Sequence, residues 1–376
     1  MYSSVTLPFL CLVLIQLLGA LGGGGPTGCG FSAIFNFGDS NSDTGAISAA
    51  LSEVAAPNGE TFFGHPSGRF CDGRLIIDFI AEDLKLPYLS AYLDSIETNF
   101  RHGANFATGG SSIRPGGYSP FHLGIQISQF MRFKSRVTDI YNRLNVSTEK
   151  TSAFGYRMPR PHDFSKALYT FDIGQNDLAY GFQHSAVEQV IASIPDILSQ
   201  FSQAVRQLYE EGARVFWVHN TGPIGCLPYS IIYDNSSLDQ NGCVRPQNEV
   251  AQDFNKQLKD RILQLRAQLS AAVFTYVDVY SAKYSLISEA KDQGFVDPSS
   301  FCCGSYYGYH IDCGKKAIVN GTVYGNPCED PSKHISWDGI HYSEAANKWV
   351  ASRILGGSFS YPAVPIRKSC HASKNP

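Results

Sequence analysis

Short apolar runs alternate along this chain with longer segments of helical spacing, and this alternation constrains the fold more than any other feature. Runs of strand length, most of them closed by Gly, Asn, Asp or Pro, occupy Ala33 to Phe37, Ala167 to Ile173, Val215 to Val218 and Val273 to Val279. Segments with helical spacing occupy Arg74 to Leu86, Ile125 to Leu144, Ala186 to Glu211, Asn248 to Leu269 and Ser343 to Leu355. The pattern predicts an α/β fold, a three-layer α/β/α sandwich whose central sheet is mostly parallel.

The length suits one large domain. Because 43% of the 376 residues are hydrophobic and only 17% are charged, the chain can bury a substantial core. No internal repeat or long linker divides its middle, so we expect a single domain over residues 30–356 and a frayed C-terminal tail over residues 357–376. The segment Asp292 to Pro331 is rich in Cys, Gly, Tyr and Asn. It is predicted to be a disulfide-pinned surface loop near the carboxyl ends of the strands.

The charge pattern argues against a nucleic-acid partner. The formal net charge is −3 and the sequence pI is about 6.4, with no long basic run that would neutralise a phosphate backbone. A small-molecule, lipid or acetylated polysaccharide substrate agrees better with this composition than nucleic acid does.

The first residues predict export. A largely apolar run from Val5 to Leu21 is short for a membrane span and is followed by small residues. We interpret residues 1–25 as a signal peptide, with no stable membrane insertion; an uncleaved anchor is the alternative. Three N-x-S/T sequons, at Asn145, Asn235 and Asn320, lie in polar stretches and predict N-glycosylation of a secreted, extracellular protein.

The cysteines also indicate an oxidising compartment. Cys11 lies in the leader and nine cysteines follow it, so at least one of the nine is unpaired. Disulfides are predicted between Cys226 and Cys243 and within the Cys302 to Cys328 cluster. A zinc site is the alternative, but the chain has no two CxxC pairs and no histidine at the usual finger spacing. We predict no metal and no cofactor.

Four polar segments lie where an open parallel sheet binds ligands, beyond the carboxyl ends of its strands. They are Gly38 to Gly45, Gly103 to Ser112, Ile173 to Asp177 and Ser336 to Glu344. Each has a plain structural alternative, a turn or a helix cap, the cap of the last being Ser343 or Asp338. Because all four occur in one chain and three follow strands or begin helices, together they favour a catalytic site.

The residue types in these segments suit nucleophilic catalysis. Ser40 follows the first strand directly, and Asp338 precedes His341 by three residues. A carboxylate at this spacing can orient the imidazole ring, whose other nitrogen then accepts a serine proton. Paired glycines allow close backbone approach to a ligand, and the side-chain amide of Asn176 can donate to a developing oxyanion.

With these motifs the sequence resembles the GDSL (SGNH) hydrolases, whose fold is flavodoxin-like. It is similar to their secreted plant branch, with its early-nodulin-type and acetylesterase-like members. The resemblance covers Phe31 to Gly356 and includes Gly68 to Arg74, Gly225 to Pro228 and Cys302 to Gly304. One departure is Asn41, where the family name has leucine.

The resemblance implies a role for each motif residue. Ser40 is the expected nucleophile, with Asp338 and His341 completing the catalytic triad. Gly110, Asn176 and the backbone amide of Ser40 are the expected oxyanion hole, although the adjacent Gly109 leaves the register of that glycine open.

The expected function is hydrolysis of carboxylic esters, with short-chain acyl or acetyl groups, through an acyl-enzyme. The expected location is the cell wall or apoplast. Three alternatives remain: an acyltransferase on the same site, a fucosidase-like glycosidase, and a catalytically inert extracellular binding protein. The sequence leaves the oligomeric state open.

Overall fold

A six-stranded sheet forms the centre of the protein in the computed structural model, which describes residues 28–96, 98–144 and 153–371. Its strands are β1 (Ile34–Gly38), β2 (Gly103–Asn105), β3 (Leu168–Asp172), β4 (Val215–His219), β5 (Val273–Val277) and β8 (Ser360–Tyr361). The order is β2-β1-β3-β4-β5-β8, parallel except for β8, which pairs antiparallel with β5. The predicted α/β fold with a mostly parallel sheet is confirmed.

Helices cover both faces of the sheet. They are α1 (Ala46–Ala50), α2 (Glu60–Phe63), α3 (Ile76–Asp83), α4 (Leu123–Leu144), α5 (Ala153–Arg157), α6 (Gln175–His184), α7 (Val187–Glu210), α8 (Pro228–Tyr233), α9 (Arg245–Gln268), α10 (Val279–Ser288) and α11 (Glu344–Ile354). Helices α4, α7 and α9 pack in one row, and α3, α11 and α10 in another. The five predicted helical segments correspond to α3, α4, α7, α9 and α11. No helix among the described residues is long and apolar enough to cross a membrane.

The strands are apolar because both faces of the sheet are covered. Every residue of β1 and β4 is buried, and Phe35 stacks on Phe164 while Phe216 stacks on Phe274 of the neighbouring strand. All four predicted strands are confirmed. The fourth ends at Val277 instead of Val279, because Asp278 caps α10 by accepting a hydrogen bond from the Ser281 amide.

Four disulfides crosslink the part of the chain that the structure describes. Both predictions are confirmed, because Cys226 pairs with Cys243 and the Cys302 to Cys328 cluster holds two bonds, Cys302–Cys328 and Cys303–Cys313. The fourth bond joins Cys29 to Cys370. The odd cysteine is Cys71, which is buried and unpaired. The predicted surface loop, Asp292 to Pro331, contains a small hairpin of β6 (Ala317–Val319) and β7 (Thr322–Tyr324).

The segment after Gly356 does not fray. Strand β8 extends the sheet, Ile366 is fully buried, and Cys370 is bonded to Cys29 near the other end of the described chain. The prediction of a loose tail is therefore wrong for residues 357–371, because pairing and a crosslink across 341 residues of sequence hold them. Residues 372–376, the predicted signal peptide and the sequon at Asn145 lie outside the described residues.

Candidate active site

The predicted site residues meet at the carboxyl edge of the sheet. Chain connections leave β1 towards β2 on one side and reach β3 on the other, and ligands bind at such switch points in open α/β sheets. Ser40 follows β1, Gly110 follows β2, and Asn176 lies at the start of α6 after β3. These three residues, called the strand-edge site below, line one cavity of about 700 Å³ together with His341.

A continuous chain of hydrogen bonds links serine, imidazole and carboxylate. His341 Nε2 lies 2.8 Å from Ser40 Oγ, and His341 Nδ1 lies 2.6 Å from Asp338 Oδ2. The second carboxylate oxygen of Asp338 accepts hydrogen bonds from the backbone amides of Ile340 and His341, at 3.0 and 2.7 Å. With Nδ1–H donating to Asp338, Nε2 is free of a proton and can accept one from Ser40.

The environment of Asp338 favours its ionised form. Burial alone raises the pKa of this carboxyl, but the charge of His341 and the hydrogen bonds to it outweigh burial and hold the pKa below its usual value. The capping role considered for Asp338 belongs to Ser343, whose hydroxyl accepts a hydrogen bond from the Ala346 amide at the start of α11. Asp338 is therefore available to orient the imidazole.

An aromatic ring that sequence reasoning did not assign to the site covers the imidazole. Phe70 stacks on His341 with ring centroids 4.9 Å apart, and it also lines the cavity. Its neighbour Arg69 anchors the segment through a buried, two-bond ion pair with Asp78, at 2.8 and 2.7 Å. Phe70 belongs to the Gly68 to Arg74 motif, but nothing in the sequence placed that motif beside His341.

The two glycines after β2 have different surroundings. The amide of Gly109 donates to the buried carboxylate of Asp43 at 2.8 Å, and that carboxylate also accepts from three amides at the start of α1. Gly110 instead lines the cavity, with a φ of 75° that favours glycine. Asn176 Nδ2 donates to the Ser111 carbonyl at 2.9 Å, which fixes the orientation of its side-chain amide.

The cavity extends away from the serine towards a polar and aromatic surface, called the outer wall below. It consists of Tyr229, Tyr233, Asp234, Asn235, Gln247, Tyr306, His310 and Asp312. The rings of Tyr229 and Tyr306 meet edge to face at 5.6 Å. Disulfides close the two chain segments that supply every residue of this wall except Gln247, Cys226–Cys243 on one side and the Cys302 to Cys328 pairs on the other.

The chain matches a known enzyme family over most of its length. The model of the GDSL-like lipase/acylhydrolase family matches residues 34–354. The chain belongs to this family. A GDSL esterase/lipase of Arabidopsis thaliana is 54% identical over 378 residues, 99% of each chain. The protein named Alpha-L-fucosidase 3 of Arabidopsis thaliana is 51% identical and covers 88% of this chain and 91% of its own. GDSL esterase/lipase ENOD8 of Medicago truncatula is 45% identical, covering 91% of each chain.

These relatives confirm the predicted resemblance to the plant branch and its early-nodulin-type members. This GDSL hydrolase is a carboxylic ester hydrolase, and its relatives match it over nearly the whole chain.

Charged side chains are buried next to Ser40 of the GDSL hydrolase. Burial, together with the charge of Asp172, raises the pKa of Asp39 to about 7. One oxygen of Asp39 accepts hydrogen bonds from Asn41, and no donor among the described residues reaches the other. Asp172 Oδ2 lies within hydrogen-bond distance of His219 Nδ1, at 3.1 Å, and Lys283 is buried nearby. Sequence reasoning missed these residues, although Asp172 and His219 end strands.

Two groups of metal-ligating side-chain types occur among the described residues of the GDSL hydrolase. They are Cys29, Cys370 and His371, and Cys302, Cys328 and His334. In each group the two cysteines form a disulfide, so their sulfur atoms are not the thiolates that bind zinc.

Proposed function

We propose that this GDSL hydrolase is a secreted serine esterase that uses Ser40 as nucleophile, His341 as general base and Asp338 to orient the imidazole. The observation that carries the proposal is the hydrogen-bond chain from Ser40 through His341 to Asp338 at the wall of the cavity. Four disulfides support export, because such bonds persist in oxidising compartments.

The reaction takes place in two acyl transfers. His341 Nε2 removes the proton of Ser40 as Oγ attacks the ester carbonyl, and His341 then returns the proton to the departing alcohol. The amides of Ser40 and Gly110 and the side chain of Asn176 stabilise the oxyanion in each tetrahedral intermediate. Water, deprotonated by His341, releases the acid and regenerates Ser40.

We propose short acyl groups, acetyl above all, on a polar alcohol such as a saccharide. A long acyl chain requires a continuous apolar lining, whereas this cavity also exposes the carboxylates and amides of the outer wall. Carboxylates accept hydrogen bonds from sugar hydroxyls, and the ring of Tyr233, which is 50% exposed, suits the apolar face of a sugar ring.

A glycosidase mechanism has weaker support, although one relative bears the name of a fucosidase. Such a mechanism requires a carboxylic acid whose pKa is raised. The two carboxyls of the outer wall have the opposite property. Burial raises the pKa of Asp234, and that of Asp312, but hydrogen bonds outweigh burial and lower both values, through Ser236 in the first case and His310 in the second.

The test compares the secreted protein with its Ser40→Ala variant on p-nitrophenyl acetate, butyrate and palmitate. We expect acetate to be cleaved fastest and palmitate slowest. The variant should lose activity by at least about 10⁴-fold, because the hydroxyl that forms the acyl-enzyme is gone. Circular dichroism confirms that the variant is folded, and equal activity in the two proteins would contradict the proposal.

Two further measurements separate the alternatives. With an added acceptor alcohol, an acyltransferase produces more new ester than free acid, and a hydrolase does not. Release of p-nitrophenol from an aryl fucoside, lost in Asp234→Asn or Asp312→Asn but kept in Ser40→Ala, would instead establish a glycosidase.

A further inference from the structure

One sequon asparagine lies at the wall of the active-site cavity. Asn235 is exposed and belongs to the outer wall, next to Tyr233 and Asp234. Asn320, in the other sequon of the described chain, is also exposed but lies in the turn between β6 and β7 and does not line the cavity. A group attached to Asn235 would therefore lie beside the cavity, whereas a group attached to Asn320 would not.

The backbone around Asn235 is held at a fixed place on the cavity rim. The carboxylate of Asp234 accepts hydrogen bonds from the Ser236 amide and from Gln247 Nε2, both at 2.8 Å. The Ser237 carbonyl accepts from the Arg245 amide at 2.9 Å. The Cys226–Cys243 disulfide closes the same loop. A group on Asn235 would therefore start from a defined point beside the cavity.

The chemistry of the loop also matches a compartment in which asparagine is glycosylated. Asn235, Ser236 and Ser237 are consecutive exposed residues, so a bulky hydrophilic chain on Asn235 can extend into solvent. Disulfides form on the export route, where N-linked glycans are also added, and the Asn235 loop is itself closed by a disulfide.

We propose that Asn235 carries an N-linked glycan that forms part of the cavity rim and limits the size of the alcohol portion of the ester. The inference rests on the proposed serine esterase and narrows its substrates. A glycan at this position leaves room for a small ester but collides with a polymer that extends past the rim on both sides. The enzyme then favours small acetylated saccharides over the interior of a polysaccharide.

The test uses a pair of variants that remove sequons without changing either asparagine. Ser237→Ala removes the sequon at the cavity, and Thr322→Ala removes the one on the hairpin; neither Ser237 nor Thr322 lines the cavity. Both variants and the wild type are secreted from a glycosylating host. Mass spectrometry of the Asn235 peptide measures occupancy, and rates are compared on p-nitrophenyl acetate and on polymeric acetylated xylan.

We expect Asn235 to be occupied in the wild type. The ratio of polymer to small-ester activity should rise about tenfold in Ser237→Ala and stay unchanged in Thr322→Ala, because only the first variant removes a steric barrier at the cavity. Trimming of the folded wild type with an endoglycosidase should raise the same ratio without any substitution.

The inference would be overturned if the Asn235 peptide of the wild type carried no glycan. It would also be overturned if the ratio of polymer to small-ester activity were the same in all samples. Absence of p-nitrophenyl acetate activity from the wild type would instead contradict the proposed esterase, so the two failures are distinguishable.

Discussion

The strand-edge site and the outer wall face the same cavity but are held in place by different means. Gly109, beside the strand-edge site, is anchored by the buried carboxylate of Asp43, and the Asn176 amide by the Ser111 carbonyl. The outer wall lies on helix α8, the start of α9 and the adjoining loops, and most of it belongs to segments that disulfides close. The strand-edge site thus follows directly from the ends of the strands, whereas the segments of the outer wall can change shape without disturbing those ends.

The sharpest test of this difference is the removal of one carboxylate beside the strand-edge site and of one carboxylate in the outer wall. Asp43 accepts four backbone hydrogen bonds, two on each oxygen, and Asp234 accepts two in a half-buried loop. We expect Asp43→Asn to lower the free energy of unfolding by about 3 kcal/mol. The new side-chain NH₂ group replaces one carboxylate oxygen and cannot accept hydrogen bonds from the two backbone amides that it faces. Asp234→Asn should cost less than about 1 kcal/mol.

Urea unfolding measures both values. Equal losses in the two variants would mean that the strand-edge site and the outer wall contribute alike to stability.

A second prediction concerns pH and the buried charges next to Ser40. Because burial and the charge of Asp172 raise the pKa of Asp39 to about 7, the folded protein keeps a proton there that the unfolded chain releases near pH 4. The stability that this proton gives is complete below the unfolded pKa and is lost as the pH rises through the folded pKa.

The unfolding free energy should therefore fall between pH 4 and pH 7 by at least about 1 kcal/mol more in the wild type than in Asp39→Asn. Denaturation at several pH values measures this difference. Parallel stability curves would show that Asp39 does not titrate in that window. Asp234→Asn serves as the control, because the pKa of Asp234 lies below its usual value in the folded protein.

The smallest expected effect belongs to the outer wall. Tyr233→Ala should raise KM for an acetylated saccharide about fivefold and change kcat by less than about twofold, because a ring stacked on substrate contributes about 1 kcal/mol to binding. Tyr307 is 66% exposed and does not line the cavity, so Tyr307→Ala is the matched control. A decrease in kcat alone in Tyr233→Ala would instead mean that the outer wall takes part in the chemical step.

The parts of the fold that local pattern determines could be predicted. The four apolar runs are strands because their residues are buried on both faces, and Asp338 lies beside His341 because it precedes it by three positions. Strand β2 has no such pattern. Gly103 is required there because a Cβ at this position would lie 1.7 Å from the Ile34 carbonyl oxygen, so the neighbouring strand decides its residue type.

Contacts between distant segments could not be predicted. Phe70 meets His341 across about 270 residues of sequence, and Lys283 on α10 lies near Asp39 and Asp172 only in the folded protein. The same limit explains the wrong prediction for residues 357–371. Pro-rich polar sequence is typical of a loose end, and no local signal paired Cys370 with Cys29.

The Cys29–Cys370 bond turns the intervening chain into a closed ring. An exopeptidase that degrades either end must stop at the crosslink, since the ring presents no terminus. One endoproteolytic cut anywhere between these cysteines releases no fragment, because the two pieces of chain stay joined through the crosslink. Two cuts are needed before any piece separates, and a piece that carries only one cysteine of another disulfide stays attached even then.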